Sequence, residues 1–174
     1  DVLADKTGSL IAVAARYGGL FADLPAAALE SLTAFGEAVG LAFQLADDIL
    51  DIASEGEVSG KTPGTDLREG IMTLPMLLCR AAARPEDAEL ISYLGRELPD
   101  DTEHQRSLEL LRANPAMAAA QTEADRFAQL AIDELGKLRA MALAEPAKFA
   151  DFEQVEQVLA ALELVCRSTA NRAV

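Results

Sequence analysis

The sequence predicts an all-α fold, on three observations. The chain has 174 residues, 51% hydrophobic but only 5% aromatic and without Trp, and helix formers such as Ala and Leu outnumber the β-branched residues that favour strands. No segment alternates apolar and polar residues with period two, as a half-buried strand would. Pro and Gly divide the chain into about seven helical stretches with short connections, a bundle pattern. The length fits one domain or part of a larger one, and the apolar share suffices for a sizeable core.

Taken in order, Asp1 to Leu20 reads as a helix with Gly18 and Gly19 near its end. Pro25 suits the first turn of a second helix, because its fixed φ is helical and its missing N–H needs no partner there. That helix runs to about Ala53. Residues 54–70 are rich in Gly, Ser, Thr and Pro and read as a loop. Helical patterning resumes near Ile71 and ends about Ala83. Pro85 starts a further helix and Pro99 closes the segment. Asp101 to Arg112 is the next helix. Asn114-Pro115 breaks it, and a long helix follows to about Ala144. After Pro146 a last helix spans roughly Phe149 to Ala170.

Fifteen basic against 29 acidic residues leave a net charge of −14. That excludes nucleic acid as a partner, since phosphate backbones need a basic patch, and disfavours anionic membrane surfaces. A phosphorylated substrate stays open, because a metal ion reconciles carboxylates with phosphates. The first apolar run, Leu10 to Ala15, stops at Arg16. No uninterrupted run approaches 18 residues, so no transmembrane segment is expected. Cys79 and Cys166 lack metal-ligand spacing and read as buried free thiols, which suits a cytoplasmic protein. His104, the one histidine, stands among acids near a helix start and reads as a surface residue. Met72, Met76, Met117 and Met141 read as core filler. Glu123, Asp125, Asp133 and Glu134 read as a solvated helix face, and Leu159, Leu162 and Val165 as an apolar stripe for a core or a subunit contact.

The second helix carries the chemistry. At about 100° per residue, Gln44, Asp47, Asp48 and Asp51 share one arc with Gly40 and Glu37. The rest of the wheel from Val39 to Ala53 is apolar. Surface helices are polar over a wide face; a narrow acidic stripe on an apolar rod suits an interior cleft. Asp47 and Asp51, one turn apart, repel each other by roughly a few tenths of a kcal/mol, and by more where the dielectric is low. A hard cation such as Mg²⁺ relieves the conflict, taking one or two carboxylates plus substrate phosphates. A solvated acidic face, or a helix cap after Ala46, is the plain alternative. Downstream, Gly60-Lys61-Thr62 places a flexible ammonium suited to diphosphate oxygens beside glycines that admit close backbone approach, although such a loop is commonly a solvated turn and lacks P-loop spacing. Lys6-Thr7 pairs an ammonium with a hydroxyl near the start of the first helix.

Together these segments resemble the trans-isoprenyl (polyprenyl) diphosphate synthase family. Phe43-Gln44-Leu45-Ala46-Asp47-Asp48-Ile49-Leu50-Asp51 matches its F-Q-x-x-D-D-x-x-D motif. Gly60-Lys61, Gly64-Thr65-Asp66-Leu67 and Thr73-Leu74-Pro75 match its downstream pattern, and Lys6-Thr7 its upstream K-T pair. Order and spacing agree from Asp1 to about Ala82.

The resemblance implies an isoprenoid-synthase-type helical bundle around a central cavity, incomplete at its N-terminus, with residues 1–174 as the C-terminal part of a single synthase domain. It implies an enzyme of isoprenoid biosynthesis, a prenyltransferase. Through Mg²⁺ it would condense isopentenyl diphosphate head-to-tail with an allylic prenyl diphosphate, as a cytoplasmic homodimer. Asp47, Asp48 and Asp51 would be metal ligands, with Asp66 behind them, and Lys6, Thr7, Gln44 and Lys61 would hold the leaving diphosphate. Three departures stand out: no first aspartate-rich motif, no basic residues for isopentenyl diphosphate, and Ile71 where many members carry lysine. Asp100-Asp101-Thr102-Glu103 is no substitute and reads as a helix cap. These 174 residues alone are expected to catalyse little. A class I terpene cyclase and a regulatory subunit of a heteromeric synthase are the competing readings.

Overall fold

The computed structural model describes residues 7–54, 63–149 and 151–170. Eight α-helices follow one another among them: α1 (Ser9–Phe21), α2 (Ala26–Ala53), α3 (Thr65–Glu69), α4 (Leu74–Ala82), α5 (Ala88–Tyr93), α6 (Asp101–Arg112), α7 (Pro115–Ala144) and α8 (Phe152–Ala170). Single 3₁₀ turns at Pro85–Asp87 and Pro146–Lys148 link α4 to α5 and α7 to α8. No strand occurs among the described residues, so the all-α expectation holds. The residues fall into two compact units, one taking the described chain up to Gln44 and from Ala124 to Ala170, the other Leu45–Glu123.

In the first unit α1 and α2 approach through small residues. A Cβ on Gly36 would lie 2.4 Å from the Ala12 Cα, and one on Gly40 would lie 2.5 Å from the Gly8 Cα. The two backbones therefore nearly touch. Phe35 and Val39 of α2 pack with Leu135 and Leu138 of α7 and Leu159 and Cys166 of α8. Arg139 of α7 binds both Glu156 and Glu163 of α8, each at 2.9 Å. These bonds push the Arg139 guanidinium pKa up and hold the Glu156 carboxyl below its usual range.

In the second unit Ile52, Leu67, Met76, Leu90, Leu98, Leu108 and Leu111 form the core. Asp100 caps α6: its Oδ1 accepts from the Thr102 N–H at 2.9 Å and the Glu103 N–H at 3.0 Å, satisfying two of the orphan donors every helix start leaves. Asn114 does the same for α7, accepting from the Ala116 N–H at 2.9 Å, while its amide donates to buried Asp87 at 2.9 Å. Arg112 closes the C-terminal end of α2, donating from Nε to the Ile52 carbonyl at 2.7 Å and from its Nη2 to that of Ser54 at 2.6 Å. A cation there also complements the negative end of the helix dipole.

Both cysteines are free and buried, as expected, and burial raises the Cys166 thiol to about 11. Met76 is fully buried, and Met72, Met117 and Met141 pack against the two cores. Leu159 is buried whereas Val165 is 50% exposed.

Three expectations need correction. Residues 65–69 are helical rather than loop, for a reason that lies in the site described below. α4 begins at Leu74, not Ile71: Thr73 is extended with ψ 171°, the backbone of a residue that precedes a helix, and Pro75 sits in the first turn, where its missing N–H needs no partner. His104 is not a surface residue; it is fully buried. By length and composition alone α2 could cross a membrane, with mean hydropathy 1.3 over its best window. Half of the window is buried within the protein, and Ala28, Phe35 and Val39 are core residues, so the apolarity of α2 is that of a core helix.

Candidate active site

The acidic stripe on α2 is graded in exposure. Asp47 is exposed, Asp51 half-buried, and Asp48 only 6% exposed. Asp51 is held at three points. Its Oδ1 accepts from the Thr65 N–H at 3.2 Å and its Oδ2 from the Asp66 N–H at 3.3 Å, and its carbonyl accepts from the Gly64 N–H at 2.7 Å. The first turn of α3 has no capping side chain of its own. Asp51 serves that purpose from 14 residues away, which is why residues 65–69 are helical. Gly64 turns into α3 with φ +68°, a left-handed conformation in which side chains with a Cβ are strained.

The predicted residues thus meet in two places. In the first unit Thr7 and Gln44 come together: the Thr7 hydroxyl donates to Gln44 Oε1 at 3.1 Å. The close α1–α2 crossing at Gly8 and Gly40 brings them within reach. In the second unit Asp66 lies beside Asp51, but through its backbone N–H. Lys6 and Lys61 lie outside the described residues. Ile71 is 49% exposed, and its N–H donates to the Asp66 carbonyl at 2.8 Å, so the side chain at this position does not build the α3 turn.

Among the described residues no three His, Cys, Asp or Glu side chains gather closely enough to form a metal cage. The donors on α2 are all carboxylate oxygens, however, and each carboxylate has about four lone-pair sites. Asp51 therefore keeps acceptor capacity beyond its two amide bonds. This set fits a hard divalent ion that uses one or two carboxylates and fills its other positions with water and phosphate. It does not fit a closed structural zinc site.

Sequence reasoning missed three groups around Asp51: Gly64 as the turn residue, Arg68 and His104. His104 Nε2 lies 3.0 Å from the Gly64 carbonyl oxygen, and Arg68 Nη2 lies 3.2 Å from His104 Nδ1. One signal was available. His104, Leu108 and Leu111 fall at i, i+4 and i+7 of α6, the spacing of a buried face. An apolar groove of about 780 Å³ in the first unit, lined by Leu24, Leu32, Leu138, Phe149, Leu159 and Leu162 among others, contains none of the candidate residues.

An all-α chain with a D-D-x-x-D motif held this way has the isoprenoid-synthase fold. It belongs to the polyprenyl synthetase family, whose profile matches residues 1–111. It is similar to the nonaprenyl diphosphate synthase of Mycobacterium tuberculosis, with 47% identity over 79% of this chain and 41% of that protein. The geranylgeranyl pyrophosphate synthase of Corynebacterium glutamicum, solved in complex with calcium and isoprenyl diphosphate, superposes with a TM-score of 0.79 at 36% identity, covering 99% of this chain and 49% of that one. The polyprenyl synthase of Caulobacter crescentus, solved with the same ligands, gives 0.78 at 32% identity, with 99% and 48% covered. The chain therefore spans less than half the length of these relatives.

Proposed function

We propose that this chain supplies the diphosphate-activating, C-terminal part of a single polyprenyl diphosphate synthase domain. The reaction is Mg²⁺-dependent, head-to-tail condensation of isopentenyl diphosphate with an allylic prenyl diphosphate. One observation carries the reading. Asp51, the last carboxylate of the motif, is oriented by two backbone amides and a carbonyl bond on a rigid helix, which is how a metal ligand is preorganised.

Asp47 and Asp51, one turn apart, hold the divalent ion, with Asp48 beside them and Asp66 behind. When bound, that ion neutralises charge developing on the leaving diphosphate. The chain's own residues bind and orient the group. The Gln44 amide N–H groups donate to diphosphate oxygens, the Thr7 hydroxyl does so on turning its one proton away from Gln44 Oε1, and Lys6 and Lys61 add ammonium charge. Cations and donors fixed before the carbon–oxygen bond breaks stabilise the leaving group most in the transition state. The calcium and isoprenyl diphosphate in the related C. glutamicum and C. crescentus enzymes support a divalent ion and a diphosphate ligand here. The protein acts in the cytoplasm, where its two buried thiols stay reduced. It acts as a homodimer, and the exposed Val158, Leu164 and Val165 of α8 support an apolar contact.

The test is calorimetric titration with inorganic pyrophosphate, with and without Mg²⁺. Affinity that requires both ion and Asp51 is expected. Pyrophosphate binding indifferent to Mg²⁺, or none, would overturn the reading.

A further inference from the structure

The strongest unexplained feature is buried His104. Arginine can only donate hydrogen bonds, so the 3.2 Å contact with Arg68 Nη2 makes His104 Nδ1 an acceptor. The proton of the neutral ring then sits on Nε2 and is donated to the Gly64 carbonyl oxygen, 3.0 Å away. Arg68 is itself anchored to Asp101, and the His104 carbonyl accepts from the Ser107 hydroxyl at 2.9 Å. Packing around the turn is equally tight. A Cβ added to Gly64 would lie 3.0 Å from Nε2 and 2.9 Å from the Leu108 side chain. The ring therefore grips the one residue whose left-handed turn aims three consecutive N–H groups at Asp51, two at its carboxylate and one at its carbonyl.

We propose that His104 is a positioning residue for the Asp51 carboxylate. It acts through Gly64: the Nε2–H holds the Gly64 carbonyl, that bond fixes the turn, and the turn points the Thr65 and Asp66 amides at both carboxylate oxygens. Arg68, bound to Asp101, fixes the ring's tautomer. The consequence for metal and diphosphate binding rests on the function proposed above, whereas the mechanical link does not.

Two readouts separate the claims. In the full-length protein, His104→Phe keeps a buried ring but removes both nitrogens. Amide hydrogen exchange at Gly64, Thr65 and Asp66 should accelerate about tenfold, the size of one lost hydrogen bond, relative to amides in the middle of α2. His104→Gln, whose amide can donate to Gly64 and accept from Arg68, should restore slow exchange. Mg²⁺-dependent affinity for inorganic pyrophosphate should fall about 10- to 100-fold in His104→Phe, as for other residues that orient a metal ligand, and recover in His104→Gln. If His104→Phe does not fold, Arg68→Met provides a milder cut, predicted to raise the same three exchange rates. Exchange unchanged in whichever variant folds would overturn the proposal, as would equal loss of affinity in Phe and Gln variants. Failure of the wild-type protein to bind pyrophosphate would sink the function reading alone, and the exchange data would still decide whether His104 holds the turn.

Discussion

Asp51 does two jobs at once, and replacing it should reveal both. Asp51→Asn keeps the shape but sets an amide against the Thr65 and Asp66 N–H groups. In the full-length protein kcat should fall by about 10²–10³, the usual loss for one group that stabilises developing charge, and the α3 turn should loosen, read as faster exchange at those amides. Asp66→Asn, which keeps the backbone donor, should leave that turn intact. Asp87 gives a cleaner pH signature. The Arg84 guanidinium, bonded to it at 2.7 Å through both Nε and Nη2, is the main reason its carboxyl sits below the usual range, with Asn114 adding to the effect. A carboxyl depressed in the folded state contributes stability above its unfolded pKa of about 3.9 and loses it as pH falls through the lower folded value. The stability gap between wild type and Asp87→Asn should thus be full at neutral pH and shrink below about pH 4, measured by urea unfolding at each pH. A gap that does not vary with pH would contradict the ion pair.

At the scale of elements, two glycines should respond to alanine with opposite signs. On α7, an alanine methyl at Gly136 would meet nothing within 4 Å, so Gly136→Ala should stabilise by about 0.8–1 kcal/mol, the intrinsic helix preference. Gly36→Ala enjoys the same preference, but its Cβ would lie 2.4 Å from the Ala12 backbone. The α1–α2 crossing must then open, at a cost of about 1–3 kcal/mol. Chemical denaturation of both variants checks the pair. Helix limits set by local chemistry were legible in the residues: Pro25 before α2, Asp100 before α6, Pro115 at the start of α7 and Pro146 after it. α3 was not, since its N-terminal cap is Asp51, supplied from the preceding helix 14 residues away.

For the whole molecule, charge and ligand linkage set the expectations. A net charge of −14 repels itself in the compact state. Stability should rise as NaCl goes from about 10 mM to 150 mM and the screening length shortens to about 8 Å. Mg²⁺ and pyrophosphate together should raise the melting temperature beyond the sum of their separate effects. At a hundredfold excess over Kd the linkage amounts to about 2.7 kcal/mol. Additive shifts would indicate independent, non-specific binding.

Residue types and spacing determined the all-α class, the family resemblance and the stripe of Asp47, Asp48 and Asp51, because helical periodicity and motif spacing are written along the chain. Thr7 and Gln44 were legible as separate motif residues, but their contact follows from the crossing of α1 over α2 at Gly8, Gly36 and Gly40. His104 is the clearest case of what only the tertiary structure decided. Its acidic neighbours in sequence suggest a surface position, while its partners, Gly64 and Arg68, lie 40 and 36 residues away. A buried imidazole is stable only where both nitrogens find partners, and those partners come from α3 and its preceding turn, which exist because Asp51 caps them.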